Sequence, residues 1–489
     1  MKLIPLLSAV IVIIFFAVPA LAQDKWDLKR SVEYAWQHNV TVKQANVQAG
    51  IDSLSLRQSR LAQYPFASGS SNLGLQFGRS IDPTTNQFTT TQLLFQQYNF
   101  QANITIFNWN NIKNNVLAAR YGAEASRMDI EKSKNDLALN IASSYLQALL
   151  AMEQIHIAEA QVIQTEGQLL DTRKRVDAGS LPELNAVQLE AQLATDSSNL
   201  ITAKANATQN ILSLKALLYL DAAAPFDLDS PPVETIPVES IVELQPDVVF
   251  GMAMKFQPAQ KSIELRIKSL EAGVKASRAL LYPTIGAFGG LGSRFSNPFK
   301  EVTGINYLGY NPPAAGGPVV DVNGQIYQVL NPNVSITQGS KTFGRLWNGY
   351  SGQLSNNFSQ NFGVSLNIPI FNGGQASVSY QKSKLNLQNA RINREEIDQT
   401  LKQNIYQAYN SAVAALQKFN ANQSTVNATQ KAFDFATKRY NLGLLSTFEL
   451  ITAQTNFTKA KLDLLTSHYD YVFKMKVLEF YKGQGIKLQ

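Results

Sequence analysis

From Phe362 onward the chain alternates: Phe362, Val364, Leu366, Ile368 and Ile370 are apolar, while Gly363, Ser365 and Asn367 are small or polar. A two-residue period sends successive side chains to opposite faces, so the run predicts a strand with one apolar and one polar side. Phe100, Ala102, Ile104 and Ile106 against Gln101, Asn103 and Thr105 predict a second strand of this kind. Leu73, Leu75 and Phe77 against Asn72, Gly74 and Gln76 predict a third, and residues 285–291 a weaker, glycine-rich fourth. Elsewhere the pattern is helical. Residues 28–63 and about 247–281 are rich in Ala, Leu, Gln, Lys and Arg, and each stretch ends at Tyr-Pro, at Pro65 and Pro283. Proline removes a helix donor and pushes its predecessor to extended geometry, so these are helix-to-strand switches. No proline falls between Ile112 and Val176 or between Val378 and Tyr440. Sixty-odd residues at ~1.5 Å each give helices of roughly 100 Å. In the second, Ile405, Ala408, Ala412, Ala415, Phe419, Asn422, Val426, Thr429, Phe433, Ala436 and Tyr440 step by threes and fours, a coiled-coil seam with small knobs. The first carries Ala148, Ile155, Val162, Leu169 and Val176 at sevens. Gly179 and Gly443 suit left-handed helix caps, and return helices are expected from about Pro182 to Tyr219 and from about Phe448 to Lys482.

These marks occur twice. Ile104-Thr105-Ile106-Phe107-Asn108 recurs as Ile368-Pro369-Ile370-Phe371-Asn372, and Arg175-Val176-Asp177-Ala178-Gly179 as Arg439-Tyr440-Asn441-Leu442-Gly443, both at an offset of 264. The Tyr-Pro pair recurs at an offset of 218, which locates 46 extra residues between Pro283 and Phe371. The chain is an internal duplication. Its expected plan is a leader at 1–22, a first repeat at 23–220, a joining segment at 221–246 and a second repeat at 247–489. The Pro- and Asp-rich stretch Asp221 to Gln245 is expected to wrap the outside where the halves join. The excess, about 297–357, is full of Gly, Asn, Pro and Ser, as in Asn311 to Pro318 and Gly349 to Gly352, and reads as a loop.

Composition narrows the class. Lys2, the apolar run Leu3 to Val18 and Ala20-Leu21-Ala22 form a secretory leader, and nothing later approaches the 18 to 20 apolar residues a spanning helix needs. Cysteine is absent, so stability must come from packing and assembly. His38, His156 and His468 have no metal-ligand spacing, and neither a metal nor a cofactor is expected. The net charge of +7 is dispersed, without the clustered patch that nucleic-acid binding needs. No phosphate loop or nucleophile elbow is present, and no enzyme is expected. Taken alone, the strands fit either half-buried strands of a soluble sheet or lipid-facing strands of a barrel. Four are too few to close a barrel within one chain, and each pair feeds helices too long for a compact domain. A coiled-coil surface rod and a periplasmic adaptor are the competing readings.

The duplicated Phe-Asn after a strand (Phe107-Asn108, Phe371-Asn372), the segments Arg175 to Glu190 and Arg439 to Gln454, and the Tyr-Pro helix ends resemble the TolC family of outer-membrane efflux proteins across nearly the whole mature sequence. The resemblance implies a mixed α and β membrane protein with long antiparallel coiled-coil hairpins forming an α-barrel, and four β-strands per protomer in a trimeric twelve-stranded transmembrane β-barrel. It implies a homotrimer in outer-membrane lipid, with a periplasmic helical extension docked on a periplasmic adaptor and served by an inner-membrane RND or ABC pump. Asn103, Thr105, Ser365 and Asn367 would line the lumen, and Phe107, Trp109 and Phe371 would sit at a membrane interface. Gly179, Ser180, Leu181, Gly443, Leu444, Leu445 and Ser446 are the expected adaptor contacts. In the gate, the family's two acids after the second glycine correspond to Glu449 and Thr452, so one is kept. The latch tyrosine is Tyr440, its acidic partner has become Asn185, and a basic position has become Leu445. The expectation is a Tyr440 to Asn185 hydrogen bond and a tip closed more by packing than by salt bridges.

Overall fold

The computed structural model describes residues 25–81, 88–89, 92–229, 232–311 and 315–483. The expected leader lies outside these, as do Pro312 to Ala314 of the insertion. Helices run in the order α1 (Leu28–His38), α2 (Val40–Leu61), α3 (Asn111–Asp177), α4 (Glu183–Leu218), α5 (Pro246–Phe256), α6 (Pro258–Ala279), α7 (Tyr350–Asn356), α8 (Gln375–Asn441) and α9 (Thr447–Lys482). The strands are β1 (Phe66–Gln76), β2 (Ser80–Ile81), β3 (Phe88–Thr89), β4 (Leu93–Phe107), β5 (Thr284–Pro298), β6 (Lys300–Tyr310), β7 (Val319–Val322), β8 (Gln325–Gln328), β9 (Pro332–Ser340) and β10 (Ser359–Asn367). The chain divides into a helical unit (Met1–Leu56, Leu117–Ala272, Lys384–Gln489) and a sheet unit (Arg57–Val116, Gly273–Ser383).

In the helical unit the duplication is kept to the residue. The long helices α3 and α8 are each 67 residues and the return helices α4 and α9 each 36. All eleven seam positions from Ile405 to Tyr440 are buried or half-buried, as a packed coiled-coil stripe requires. The two outer stretches, expected as continuous, are instead broken at Asn39 and Gln257. Asn39 donates its side-chain amide to the Leu217 carbonyl (3.1 Å), and Gln257 donates to the carbonyls of Tyr481 (3.3 Å) and Phe480 (2.9 Å). Asn39 and Gln257 are related by the offset of 218, and Leu217 and Tyr481 by the offset of 264. The same bond therefore recurs in both repeats, tying the outer helix to the end of its return helix.

The joining segment does not merely wrap the surface. Leu228, Val233 and Ile236 are buried with Leu28, Ile141, Tyr145, Leu149, Leu214 and Leu218, and Leu244 with Val249, Ile405, Met475 and Leu478. Trp26 and Leu228 form a parallel bridge. Tyr145, 1% exposed, donates its hydroxyl between the carbonyls of Asp229 (2.6 Å) and Trp26 (3.0 Å), and burial pushes the phenol's pKa up. Further along, Glu479 accepts from Lys476 Nζ (2.7 Å) and from the Glu239 backbone (3.0 Å), an ion pair almost without water contact.

The sheet unit is built on an antiparallel sheet in the order β1-β4-β5-β10. Registers fix its faces. Phe100 pairs with Gly69 and Leu291, Ala102 with Ala67 and Gly289, Ile104 with Ala287, and Val364 and Phe362 stand opposite Ala287 and Gly289. Asn103 pairs with Phe288 and Thr105 with Gly286, which in turn faces Ser365. Alternation along each strand therefore adds up to one apolar and one polar face across all four. Glycine makes β5 possible: a Cβ on Gly290 would collide with the Asn361 side chain on the polar face, and one on Gly286 would lie 3.1 Å from Ser365 Oγ. A β-bulge between Thr105 and Phe107 turns Phe107 to pair with Ile285 on the apolar face. β10 stops at Asn367, earlier than the alternation suggests, and Ile368, Ile370 and Phe371 are exposed beyond it. Pro369, which lacks a donor for the ladder, follows the stop.

The insertion, expected as a loop, is folded. β6 pairs with β9 and β7 with β8. A short core of Leu94, Phe295 and Leu346 forms beneath Phe299, Trp347, Tyr350 and Leu354.

Candidate functional site

Two places carry the chemistry available to this chain: the polar face of the sheet, and the ends of the long helices with the seam behind them. On the sheet, Asn103, Thr105, Ser365 and Asn367 fall on the polar face with Asn361. Phe66 and Phe288 share that face, because they pair with Asn103. Arg294, paired with Gln97, is on this face too, and a wall made mostly of amides and hydroxyls suits a wet surface rather than a binding pocket.

At the helix ends both reversals use one geometry. Gly179 has φ +75° and Gly443 φ +72°. Ser180 N donates to Arg175 O (2.9 Å) and Gly179 N to Val176 O (2.8 Å). Leu444 N donates to Arg439 O (2.9 Å) and Gly443 N to Tyr440 O (2.9 Å). These paired bonds satisfy the last carbonyls of α3 and α8 and need a left-handed residue at the glycine. The restarts differ. Pro182 opens α4 without a side-chain cap, whereas Ser446 and Glu449 form a reciprocal capping box at α9. Glu449 Oε2 accepts from Ser446 N (3.0 Å) and Ser446 Oγ (2.7 Å). Those bonds hold the Glu449 carboxyl below its ordinary pKa. Leu442, Leu444 and Phe448 stand exposed around the second turn, while Leu445 packs with Phe433, Tyr440 and Leu450. Thr452 bonds back to the Phe448 carbonyl (2.8 Å).

The expected Tyr440 to Asn185 bond is not made within the protomer. The Tyr440 hydroxyl pairs with Thr172 Oγ1 (2.9 Å), and Thr447 Oγ1 lies 3.4 Å away. Tyr440, on α8, thus bridges Thr172 of α3 to Thr447 of α9, at the end of a ladder between α3 and α9. Thr165 receives Gln454 Nε2 (3.0 Å), and Gln161 Oε1 accepts from Thr458. Thr165 and Gln192 in turn donate to the buried Asp196 (2.7 and 2.8 Å). Each step up α3 from Gln161 to Thr165 to Thr172 is matched by an equal step down α9 from Thr458 to Gln454 to Thr447. The same stepping sets Gln168 opposite Ile451. There the ladder is broken: Gln168 Oε1 is buried without a partner, while Ile451 packs against Leu169, Ala186 and Leu189. Sequence periodicity marks both helices but not this pairing, because which positions meet across two antiparallel helices depends on where the turns place them. Replacing Gln168 by Leu should therefore raise stability by ~1 kcal/mol, by removing an unsatisfied buried acceptor and completing an apolar layer. A lowered unfolding midpoint in denaturant titration of the variant would contradict that layer assignment.

Among the described residues no group of His, Cys, Asp and Glu is arranged to hold a metal, and no helix is long and apolar enough to cross a membrane.

Against this geometry stand the known proteins. The family model described as "Outer membrane efflux protein" matches residues 55–218 and 329–482. The outer membrane efflux protein BepC of Brucella suis is 21% identical over 438 residues, covering 90% of this chain and 81% of its own. Among solved structures, CusC, described as forming a transmembrane channel, superposes with a TM-score of 0.71 at 17% identity, over 94% of this chain and 92% of its own. The outer membrane protein VceC of Vibrio cholerae superposes with a TM-score of 0.68 at 14% identity, over 94% and 96%.

Proposed function

Because the chain belongs to the outer membrane efflux protein family and is an outer-membrane exit duct for efflux, we propose that three copies close that duct and that its control lies at the Gly179 and Gly443 turns. The observation that carries the assembly is the open sheet. Among the described residues β1 and β10 each have one edge without a strand neighbour, and an unpaired edge is not tolerated in hydrocarbon. Three four-stranded sheets joined edge to edge give twelve strands with no edge left. The apolar face then meets lipid, and Asn103, Thr105, Ser365 and Asn367 line the lumen.

The turns are the docking end. Gly179, Ser180 and Leu181 with Gly443, Leu444 and Ser446 present backbone bends beside the exposed Leu442, Leu444 and Phe448, a surface suited to the helical tip of a periplasmic adaptor joined to an inner-membrane RND or ABC pump. Leu445 belongs beneath that surface rather than on it, since it packs on Tyr440. Glu449, repeated by threefold symmetry, forms the charged ring of the gate. Its cap bonds to Ser446 favour the ionised form. Tyr440, through Thr172 and Thr447, holds the second turn onto α3. Asn185 and Thr452 add polar neighbours without charge. The closed tip thus relies on hydroxyl bonds and packing.

Threefold particles in detergent, tested without imposed symmetry, are the expected result for the assembly; a monomer would refute it. For the gate, Glu449→Gln should shift the reversal potential in a salt gradient towards anions and weaken block by divalent cations. An unchanged reversal potential would remove Glu449 from the conduction path and leave it a helix cap.

A further inference from the structure

We propose that the segment from Thr342 to Asn356, which closes the insertion, is an aromatic anchor seated in the headgroup region of the outer leaflet. It rests on the reading that the apolar face of the sheet meets lipid.

The registers decide where the segment lies. Leu94, Gln96 and Tyr98 on β4, and Ser293, Phe295 and Asn297 on β5, share a face with Phe100 and Leu291. The segment fastens to that face. Ser293 Oγ donates to Leu354 O (2.7 Å), Asn297 Nδ2 donates to Leu346 O (2.9 Å), and the hydroxyls of Tyr98 and Tyr350 bond at 2.8 Å. The Phe295 ring, fully buried, lies 5.0 Å from Tyr350 and 5.8 Å from Trp347, the latter stacked. The segment is therefore applied to the lipid side of the wall, over the middle strands β4 and β5. It also takes up the edge of β5 beyond the last pair with β10, Ser359 with Gly292, where Gln353 Oε1 accepts from Ser296 N (3.0 Å).

The spacing then gives the depth. At the other end of the same face, Phe107 is turned outward by the bulge, with Trp109 at 5.3 Å from it and Tyr282 at 4.9 Å from Trp109. Phe107 pairs with Ile285, and Phe295 lies ten residues further along β5. Ten residues span ~33 Å along a strand, which a tilt of ~35–45° reduces to ~25 Å along the membrane normal. That is the height of the apolar band that two aromatic girdles flank in membrane barrels. Between the two levels the outward positions of β5 are Ala287, Gly289 and Leu291 before the segment covers Ser293. Phe107 and Trp109 form the inner girdle. At the outer level the aromatic rings come from the insertion: Trp347 and Tyr350 half-buried, and Phe343 74% exposed with its ring 6.4 Å from Trp347. Lys341, bonded to Asn297, and Arg345, paired with Glu301 at 2.9 Å, put cationic groups at the same level, matching a headgroup layer that carries phosphates.

The test uses the full chain in phosphatidylcholine vesicles whose acyl chains carry bromine at a shallow or a deep position. The emission that Trp347→Phe removes should be the emission that shallow bromines quench, at least twofold more than deep ones. Trp109→Phe is the control for the barrel itself. If bromines quench the Trp109 emission but leave that of Trp347 untouched, the segment stands in water and the anchor is refuted while the barrel holds. If neither is quenched, the lipid-facing reading of the sheet falls and the anchor with it. Should Trp347→Phe not fold, Phe343→Trp supplies a new emitter on the segment, expected to be quenched by shallow bromines and refuting the anchor if it is not.

Discussion

Glu479→Ala should destabilise the protein by ~3–5 kcal/mol, because it leaves the Lys476 ammonium buried without its counter-ion. The two side chains are 7% and 4% exposed, and their contact is 2.7 Å. The loss is also structural, since Glu479 Oε1 accepts from the Glu239 backbone at 3.0 Å and Glu239 in turn receives Lys482 at 2.7 Å. One carboxylate thus fastens the joining segment to the end of α9. Two further variants separate the contributions. Glu479→Gln keeps an acceptor for Glu239 N and loses only the charge, so it should remain severe. The double variant Lys476→Met with Glu479→Leu removes both charges and should recover most of the loss, because a buried pair is often no better than a well-packed apolar one. Denaturant titration in detergent reads all three. A Glu479→Ala change under ~1 kcal/mol would mean that water reaches Lys476.

The second large effect concerns the faces of the sheet. Phe362 and Asn361 are neighbours on β10, opposite Gly289 and Gly290 respectively. Phe362 lies on the apolar face and is 89% exposed in the protomer. Phe362→Arg should cost ~2–4 kcal/mol in lipid, the penalty for a guanidinium near the bilayer midplane. Asn361→Arg, one residue away, should be tolerated and should instead shift ion selectivity towards anions. Stability of the folded barrel in vesicles and the reversal potential in planar bilayers give the two readouts. The reverse pattern, with Asn361→Arg destabilising and Phe362→Arg neutral, would exchange the inside and outside of the wall.

Much of this was legible in the sequence, and the exceptions have physical causes. Period-two alternation located all four strands of the main sheet, and the absence of proline bounded α3 and α8 to within a few residues. The break before α6 is marked by Pro258 directly after Gln257. The break at Asn39 has no proline, but Asn39 caps α2 by accepting from Thr41 N (2.8 Å) and is held by a bond to a carbonyl 178 residues away. The insertion reads as a loop by its glycine and proline content, yet Val302, Ile305 and Tyr307 against Val334 and Ile336 carry enough strand character to pair as β6 and β9. At the proposed gate, the helix turns and Glu449 stood out, while the partner of Tyr440 did not. Tyr440 answers to Thr172, a residue on a different helix, and no local pattern names a contact of that separation.

The ladder between α3 and α9 has a consequence for the history of the molecule. Under the offset of 264, Gln161, Thr165 and Asp196 correspond to Thr425, Thr429 and Ala460, and Gln454 corresponds to Glu190. Glu190 is now committed to Arg173 on its own hairpin, at 2.5 Å. The contact surface joining the two repeats has thus become heterotypic: each repeat holds half of a lock that it cannot complete with a copy of itself. A gene encoding one repeat alone, whatever ancestor it resembled, would no longer yield six interchangeable parts. The hydroxyls and amides of this ladder come from both repeats, but from positions that the duplication does not make equivalent.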